Sequence, residues 1–261
     1  MINFVDTSGP RYTGSHAKKS PPMNEPFRVI TWNIKFCIAI EVAIAEFQHV
    51  NDLQNAAVLL LQEMDREGVE QVAQVLNYNY VYYPASIHSR TGRAFGNAVL
   101  SHWPIIDTVK IVLPHASPTN RQRRIAVGAY LDIGRQRMAV YSVHTETPVM
   151  PWGKRREQLI YLSESVSTES HDCTIMGGDF NTFTNRSIAL LDNTMSAVNL
   201  LPGTENREPT LKRGLLSFVL DHIYISGTTP IAAGVWSETA ASDHSPLWVM
   251  LYPRPRKVPV G

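Results

Sequence analysis

The feature that most constrains this chain is a series of short apolar runs rich in β-branched residues, many of which stop abruptly at a polar cluster. Runs of this length and composition read as strands, and polar ends read as functional groups delivered at strand termini. Strands are expected at Arg28 to Asn33, Ala57 to Gln62, Asn79 to Tyr83, Ala98 to Ser101, Ile106 to Val112, Ile125 to Leu131, Met138 to His144, Cys173 to Gly177, Phe218 to Ile225 and Leu247 to Tyr252. Helical spacing appears at Val42 to Leu53, Gly68 to Leu76 and Gly153 to Val166, where Leu159, Leu162 and Val166 share one face; Ile188 to Val198 is a weaker helix. Strands outnumber helices without regular alternation, so a doubly wound parallel sheet fits poorly. An α/β arrangement of two packed mixed sheets with helices outside fits better.

No Pro/Gly-rich linker divides residues 27–252, which predicts one domain. Residues 1–26 mix Ser, Gly, Pro and Lys and read as a flexible arm; residues 253–261 read as an extended, solvated tail. The arm lacks the basic-then-apolar order of a secretory leader, which makes a cytoplasmic location the expectation. No apolar run approaches the roughly 20 residues needed to span a bilayer, since Ile38 to Ile44 is interrupted by Glu41. A monomer is expected. The 24 basic and 23 acidic side chains nearly cancel, so no global positive field draws the protein onto nucleic acid. Cys37 and Cys173 form no CxxC pair and suit neither a disulfide framework nor a thiolate metal site.

The strongest local signal is Gly177-Gly178-Asp179-Phe180-Asn181, in which an apolar strand runs into two glycines and then presents a carboxylate and an amide. Strand alternation would put Asp179 and Asn181 on one face, where they would supply a proton acceptor and a neutral partner for a water attacking phosphorus. An Asx turn closing a loop suits the same residues equally well. Asn33 and Glu63 end two further apolar runs, and carboxylate and amide oxygens are what hard cations prefer. Taken singly, a turn cap and an exposed charge are the blander readings of this pair. Ser242-Asp243-His244 precedes the last strand, and Asp221, inside an apolar run, is the candidate to orient the His244 imidazole. An ion pair between Asp221 and Arg213 is the alternative. His144 closes another apolar run and would contact a phosphate oxygen or act as general acid, or else simply pack.

In order, Thr31-Trp32-Asn33, Leu61-Gln62-Glu63, Gly96-Asn97-Ala98-Val99-Leu100-Ser101, Val143-His144-Thr145-Glu146, Gly178-Asp179-Phe180-Asn181, Leu220-Asp221-His222-Ile223 and Ser242-Asp243-His244 resemble the endonuclease/exonuclease/phosphatase superfamily. The resemblance implies a four-layered, DNase I-like α/β sandwich with its site at one rim of the two sheets, and Mg²⁺ or Mn²⁺ as cofactor. Carried over, Glu63 is the principal metal ligand, with Asn33 and Asp243 near the ion. Asp179 orients or deprotonates the attacking water, and Asn181 positions it. His244, held by Asp221, contacts the phosphate, with His144 as a second contact. Asn97 and Arg124 are assigned to substrate.

The expected activity is hydrolysis of a phosphodiester by metal-activated water, with nucleic acid, DNA or RNA, as the expected substrate and partner. A second reading keeps the machinery but turns it on phosphomonoesters, phosphoinositides or sphingomyelin-like lipids, with Arg90, Arg93, Arg121, Arg123 and Arg124 available for anions. A silent binding module would require lesions in the catalytic set, and the sequence has none.

Overall fold

The structure, a computed structural model, describes residues 2–253 apart from 23, 89–91, 135 and 168–170. Part of the basic loop 89–93 and all of the tail after Pro253 lie outside the described residues. In chain order the strands are β1 (Tyr12–Ser15), β2 (Phe27–Asn33), β3 (Ala56–Met64), β4 (Asn79–Ile87), β5 (Ala94–Ser101), β6 (Ile105–Val112), β7 (Ile125–Asp132) and β8 (Arg137–His144). They continue with β9 (Cys173–Asp179), β10 (Leu201–Pro202), β11 (Leu211–Arg213), β12 (Leu216–Phe218), β13 (Asp221–Ser226), β14 (Thr228–Val235) and β15 (Leu247–Pro253). The helices are α1 (Ile40–His49), α2 (Arg66–Leu76), α3 (Trp152–Ser167) and α4 (Asn185–Ser196).

Seven strands form one sheet in the order β1-β4-β5-β3-β2-β15-β14, six form a second in the order β10-β13-β9-β8-β7-β6, and β11 with β12 makes a separate hairpin. Three apolar cores fill the spaces between four layers. Val29, Val58, Leu60, Val99, Val127, Val140, Ile175 and Ile223 lie between the sheets. Ile30, Trp32, Leu59 and Leu61 face outward against Ile44 and Phe47 of α1 and Val69 and Val72 of α2. Tyr141, Val143 and Met176 face outward against Leu159 and Leu162 of α3 and Leu191 and Met195 of α4. A strand covered on both faces has no polar side, which is why β2, β3 and β8 read as continuous apolar runs rather than alternating ones. Among the described residues no helix is long and apolar enough to cross a membrane.

The N-terminal segment differs from the flexible arm expected of it. Tyr12–Ser15 pairs antiparallel with β4 as an edge strand, and the Phe4 N–H donates to Ala85 O at 2.8 Å. Lys110, which is 2% exposed, inserts its ammonium among the carbonyl oxygens of Phe4, Asp6 and Gly9 at 2.7, 3.2 and 3.4 Å. The acceptors are backbone carbonyls, which composition does not reveal, so a polar segment is ordered without an apolar run of its own. The edge strand β14 likewise lacked a signal: Thr228-Thr229-Pro230-Ile231-Ala232-Ala233 carries small residues and a proline, and a bulge falls between Pro230 and Ala232.

Candidate active site

At the centre of each sheet lies a parallel pair, β2 with β3 and β8 with β9, and all four strands end at the same rim. Register then sets the neighbours: Asn33 lies beside Gln62, one residue before Glu63, and His144 lies beside Asp179. Antiparallel β13 begins at this rim with Asp221 opposite Asp179, and β15 begins there just after His244. Gly177 and Gly178 permit the crossing. A Cβ on Gly177 would meet Leu60 Cδ1 at 2.9 Å, and one on Gly178 would lie 1.9 Å from Val143 O.

Asp179 is the hub. Its carboxylate is 3% exposed, with Oδ1 accepting from the Asn181 N–H at 2.9 Å and Oδ2 from Asn33 Nδ2 at 3.1 Å. Oδ2 also faces His144 Nε2 at 3.4 Å and His244 Nε2 at 3.8 Å. Burial pushes the Asp179 pKa up to about 6, although the charge of His244 pulls the other way. Asn181 reaches this hub differently from the expectation. The strand ends at Asp179, and Asn181 turns back with φ +52°, its Nδ2 donating to Thr145 O at 3.0 Å. Strand alternation therefore has no part in its placement; a left-handed turn does.

The two histidines stand in opposite charge states. Burial alone would lower the His244 pKa, but Asp221 Oδ2 at 2.8 Å from Nδ1, with Asp179 beyond Nε2, outweighs it and pushes it up to about 10. Arg213 pairs instead within its own hairpin strand register, opposite Leu216. His144 is held well below its usual value by burial, with the positive charges of Arg124 and His244 adding to the effect. Arg124 NH1 lies 3.3 Å from His144 Nδ1, and because a guanidinium only donates, the remaining proton of the neutral ring sits on Nε2, toward Asp179.

Glu63 and Asn33 lie against this cluster, Asn33 through its bond to Asp179 and Glu63 through a bond from Asn33, while Asp243 follows the same rim next to His244 in the chain. Glu63 sits in a bulge of β3 with φ +57°, and its carboxyl is so enclosed that burial pushes its pKa up to about 7, against the pull of Arg124 and of a hydrogen bond from Asn33. Two residues after Asn33, three consecutive non-glycine residues, Lys35, Phe36 and Cys37, take positive φ. Strained backbone of this kind persists where its surroundings over-determine it, commonly at functional sites. The turn brings Lys35 Nζ to 3.4 Å from Asp243 Oδ2 and stacks Phe36 on His88 at 4.3 Å. Two enclosed carboxylates, Glu63 and Asp179, share Asn33 as a neutral donor, and burial, more than any neighbouring charge, raises the pKa of each. Hard oxygen donors shut away from solvent in this way fit a divalent cation, whose charge would favour their ionised form. Ligand-type atoms of Asp179, Asp221 and His244 also lie within 4.8 Å of one another, but the His244 Nδ1 is already bonded to Asp221, so that trio is a carboxylate–histidine relay.

Two residues assigned to substrate are held by protein. Both N–H groups of the Asn97 amide are engaged, by Ile125 O at 3.2 Å and Ser142 O at 3.0 Å, which braces one sheet against the other. Arg124 lies behind His144, with its Nε 3.5 Å from Glu146 Oε2 and its guanidinium over Phe95. Residues given no role from the sequence complete the frame. Arg155 donates to Glu146 O at 3.1 Å and Asn181 O at 2.5 Å; Ser242 Oγ donates to Asn33 O at 2.7 Å; Trp32 Nε1 donates to His244 O at 2.8 Å. Each targets a backbone carbonyl, a role that residue type does not announce: Trp32 and Ser242 stand inside motifs of the sequence without a role there, and Arg155 stands outside them.

The family model described as Endonuclease/Exonuclease/phosphatase family matches residues 30–244. Among solved structures, an endonuclease/exonuclease/phosphatase family protein from Bacteroides thetaiotaomicron is 16% identical over 88% of this chain and 99% of its own, with a TM-score of 0.69. TDP2 from D. rerio, complexed with a single-strand DNA product, is 14% identical over 87% and 99%, with a TM-score of 0.68. A mannosyl-6-phosphatase from Bacteroides thetaiotaomicron is 15% identical over 86% and 99%, with a TM-score of 0.64. No curated protein sequence matches the chain.

Proposed function

Because this chain belongs to the endonuclease/exonuclease/phosphatase family, whose members are divalent-metal-dependent hydrolases of phosphate esters, we propose that it cleaves a phosphodiester by direct attack of water at the rim described above. The observation that carries this reading is the Asp179 carboxylate, enclosed between a charged His244, a neutral His144 and the Asn33 amide. Glu63, Asn33 and Asp243 would hold Mg²⁺ or Mn²⁺, which when bound neutralises phosphate charge and favours ionisation of water. Asp179 takes the proton of the attacking water as the new P–O bond forms and the ester P–O bond breaks, and Asn181 orients that water. His244, kept charged by Asp221, faces the phosphate oxygens as negative charge builds on them. His144 offers a neutral Nε2–H donor to the same oxygens. Its low pKa favours the role of phosphate contact over that of general acid.

Nucleic acid, the bearer expected from the sequence, has the likeness to the DNA-bound TDP2 in its favour, and a phosphomonoester has the likeness to the mannosyl-6-phosphatase. Likenesses at this level share a fold, so the choice of substrate falls to the surfaces around the site. The test of the chemistry compares bis-para-nitrophenyl phosphate with para-nitrophenyl phosphate in Mg²⁺, Mn²⁺ or EDTA. Metal-dependent turnover of the diester that falls by about a thousandfold in Asp179→Asn is expected. Turnover that survives this substitution would remove Asp179 from the mechanism, and preference for the monoester would make the enzyme a phosphatase.

A further inference from the structure

The loops that leave the catalytic rim carry aliphatic side chains where solvent-facing polar residues would ordinarily stand. The hairpin β11–β12 belongs to neither large sheet, and its tip turns through Gly214 at φ +58° into Leu215 and Leu216, which are 103% and 62% exposed. Two more exposed aliphatics share this end of the molecule: Ile38, on the connection from Asn33 to α1, is 69% exposed, and Val149, on the connection from His144 to α3, is 53% exposed. Exposed aliphatics elsewhere, such as Ile2, Ile106 and Ile231, are scattered over other elements. Exposed aliphatics on several of the loops that leave one catalytic rim point to a contact surface rather than ordinary exposure.

We propose that this rim docks on the surface of an anionic phospholipid bilayer through the Leu215–Leu216 tip, presenting a headgroup phosphodiester to the site. The claim about what is hydrolysed rests on the phosphodiesterase reading above; the claim about docking stands apart from it. The charge pattern selects the partner. The segment Thr210-Leu211-Lys212-Arg213-Gly214-Leu215-Leu216-Ser217-Phe218 contains two cations and no acid, and Lys212 and Arg213 are exposed beside the tip. Aliphatic side chains that enter the acyl boundary, flanked by cations at the level of lipid phosphates, form the usual interfacial pattern. Strands of nucleic acid are gripped instead by aromatic faces that stack on bases, and none of the four exposed side chains is aromatic. The nearby acids Glu205 and Glu208 line a separate groove of about 350 Å³ against Pro230 to Ala233 of β14.

The base of the hairpin is joined to the catalytic dyad. Leu211 is buried and bridges to His244, Thr210 Oγ1 accepts from the Leu220 and Asp221 N–H groups at 3.1 Å, and the Ser245 N–H donates to Thr210 O at 2.7 Å. A tip set in a membrane would therefore fix the orientation of the strand that begins with Asp221 and of the segment that carries His244.

The experiment is co-sedimentation of the full chain with phosphatidylcholine vesicles, with and without phosphatidylserine, for the wild type, Leu215→Ser/Leu216→Ser and Lys212→Gln/Arg213→Gln. Circular dichroism checks folding, and turnover of bis-para-nitrophenyl phosphate in solution is measured in parallel. Binding to the anionic vesicles is expected to weaken by about tenfold or more in the leucine pair, which loses two aliphatic groups that would enter the acyl boundary. The cation pair is expected to lose the preference for phosphatidylserine, and soluble-diester turnover should stay at the wild-type rate in both. Absence of vesicle binding by the wild type, or binding undiminished in the leucine pair, would overturn the proposal. Loss of single-stranded DNA binding in the leucine pair, with no vesicle binding at all, would reassign the hairpin to nucleic acid. If soluble-diester turnover is absent while vesicle binding follows the pattern expected, the phosphodiesterase reading fails and the docking surface stands.

Discussion

At Gly178 the backbone of β9 passes so close to β8 that any side chain would collide with a carbonyl, since a Cβ there would lie 1.9 Å from Val143 O. Backbone cannot swing aside as a flexible side chain can, so Gly178→Ala should cost roughly 1–3 kcal/mol or more, as overpacking does. It should also displace Asp179, lowering both the urea midpoint and turnover; a midpoint equal to the wild type would show that the strands can part freely. His222, next to the dyad but outside it, predicts a pH effect. Its ring is 3% exposed, with Nε2 2.6 Å from Thr182 Oγ1, Phe180 edge-on, Tyr224 tilted beside it, and Arg207 and Asp192 as the charged neighbours. Burial first, and then Arg207, lowers its pKa from 6.5 to about 3. Because the folded-state value is depressed, its contribution is full above about 6.5 and is lost as pH falls toward 3, the unfolded chain binding the proton first. Between pH 7 and pH 5 the wild type should lose about 2 kcal/mol that His222→Gln does not lose, measured as the difference in urea unfolding free energy. Equal losses in both proteins would mean that the ring protonates without unfolding. The residue types at the site were legible in the sequence because Asn33, Glu63, His144, Asp179 and His244 each end or adjoin an apolar run. Their conformations were not. The positive φ of Lys35, Phe36, Cys37, Glu63 and Asn181 is imposed by tertiary contacts, and no local propensity announces it.

Among the elements, the order of β1 depends on a side chain distant in sequence. Lys110 of β6 reaches the carbonyls of Phe4, Asp6 and Gly9, and His16 and Tyr80 close around Glu70 from the other side. Lys110→Met would leave three carbonyl groups without their donor and should release the N-terminal segment without unfolding the sandwich, a local cost of roughly 1–3 kcal/mol. Trypsin should then cut at Lys18 and Lys19 faster than in the wild type while the thermal midpoint moves little; unchanged cleavage would mean that the pairing of β1 with β4 is sufficient by itself. The ten strands expected from apolar runs all have counterparts, because a run of β-branched residues buried on both faces declares itself locally. Those overlooked, β1, β10, β11, β12 and β14, are short or lie at an edge or in the hairpin, where pairing with neighbours rather than composition decides the conformation. The expected strand from Phe218 to Ile225 is divided, with Leu216–Phe218 turning into the hairpin and Asp221–Ser226 into the sheet. The break at Val219 and Leu220 places Asp221 at the start of a strand and so within reach of His244.

For the molecule as a whole, the site is the seam where the two sheets meet. Gln62 Nε2 donates to Ser142 Oγ at 3.0 Å, Ser142 Oγ donates to Leu61 O at 2.8 Å, and the Asn97 amide crosses from β5 to β7 and β8. Above this polar seam Glu63 comes from one sheet and Asp179 from the other, and both are enclosed carboxylates. Shutting both away from solvent penalises their charged forms, and an ion held by Glu63, Asn33 and Asp243 would offset that penalty at the rim. A ligand that binds only the folded state stabilises it by about 2.7 kcal/mol at a hundred times its dissociation constant. For a chain of this size each kcal/mol raises the midpoint by roughly 2–4 °C. Saturating Mg²⁺ or Mn²⁺ should therefore raise the thermal midpoint of the wild type by roughly 5–10 °C. Glu63→Gln keeps the shape and the hydrogen bond from Asn33 but removes the charge. It should leave the metal-free midpoint as high as or higher than that of the wild type, because a buried charge is removed, and should show little further rise with metal. Differential scanning fluorimetry with and without EDTA reads both values. A metal-induced rise of equal size in the two proteins would place the ion away from Glu63, and a metal-free variant less stable than the wild type would show that the carboxylate is already neutralised by its protein surroundings.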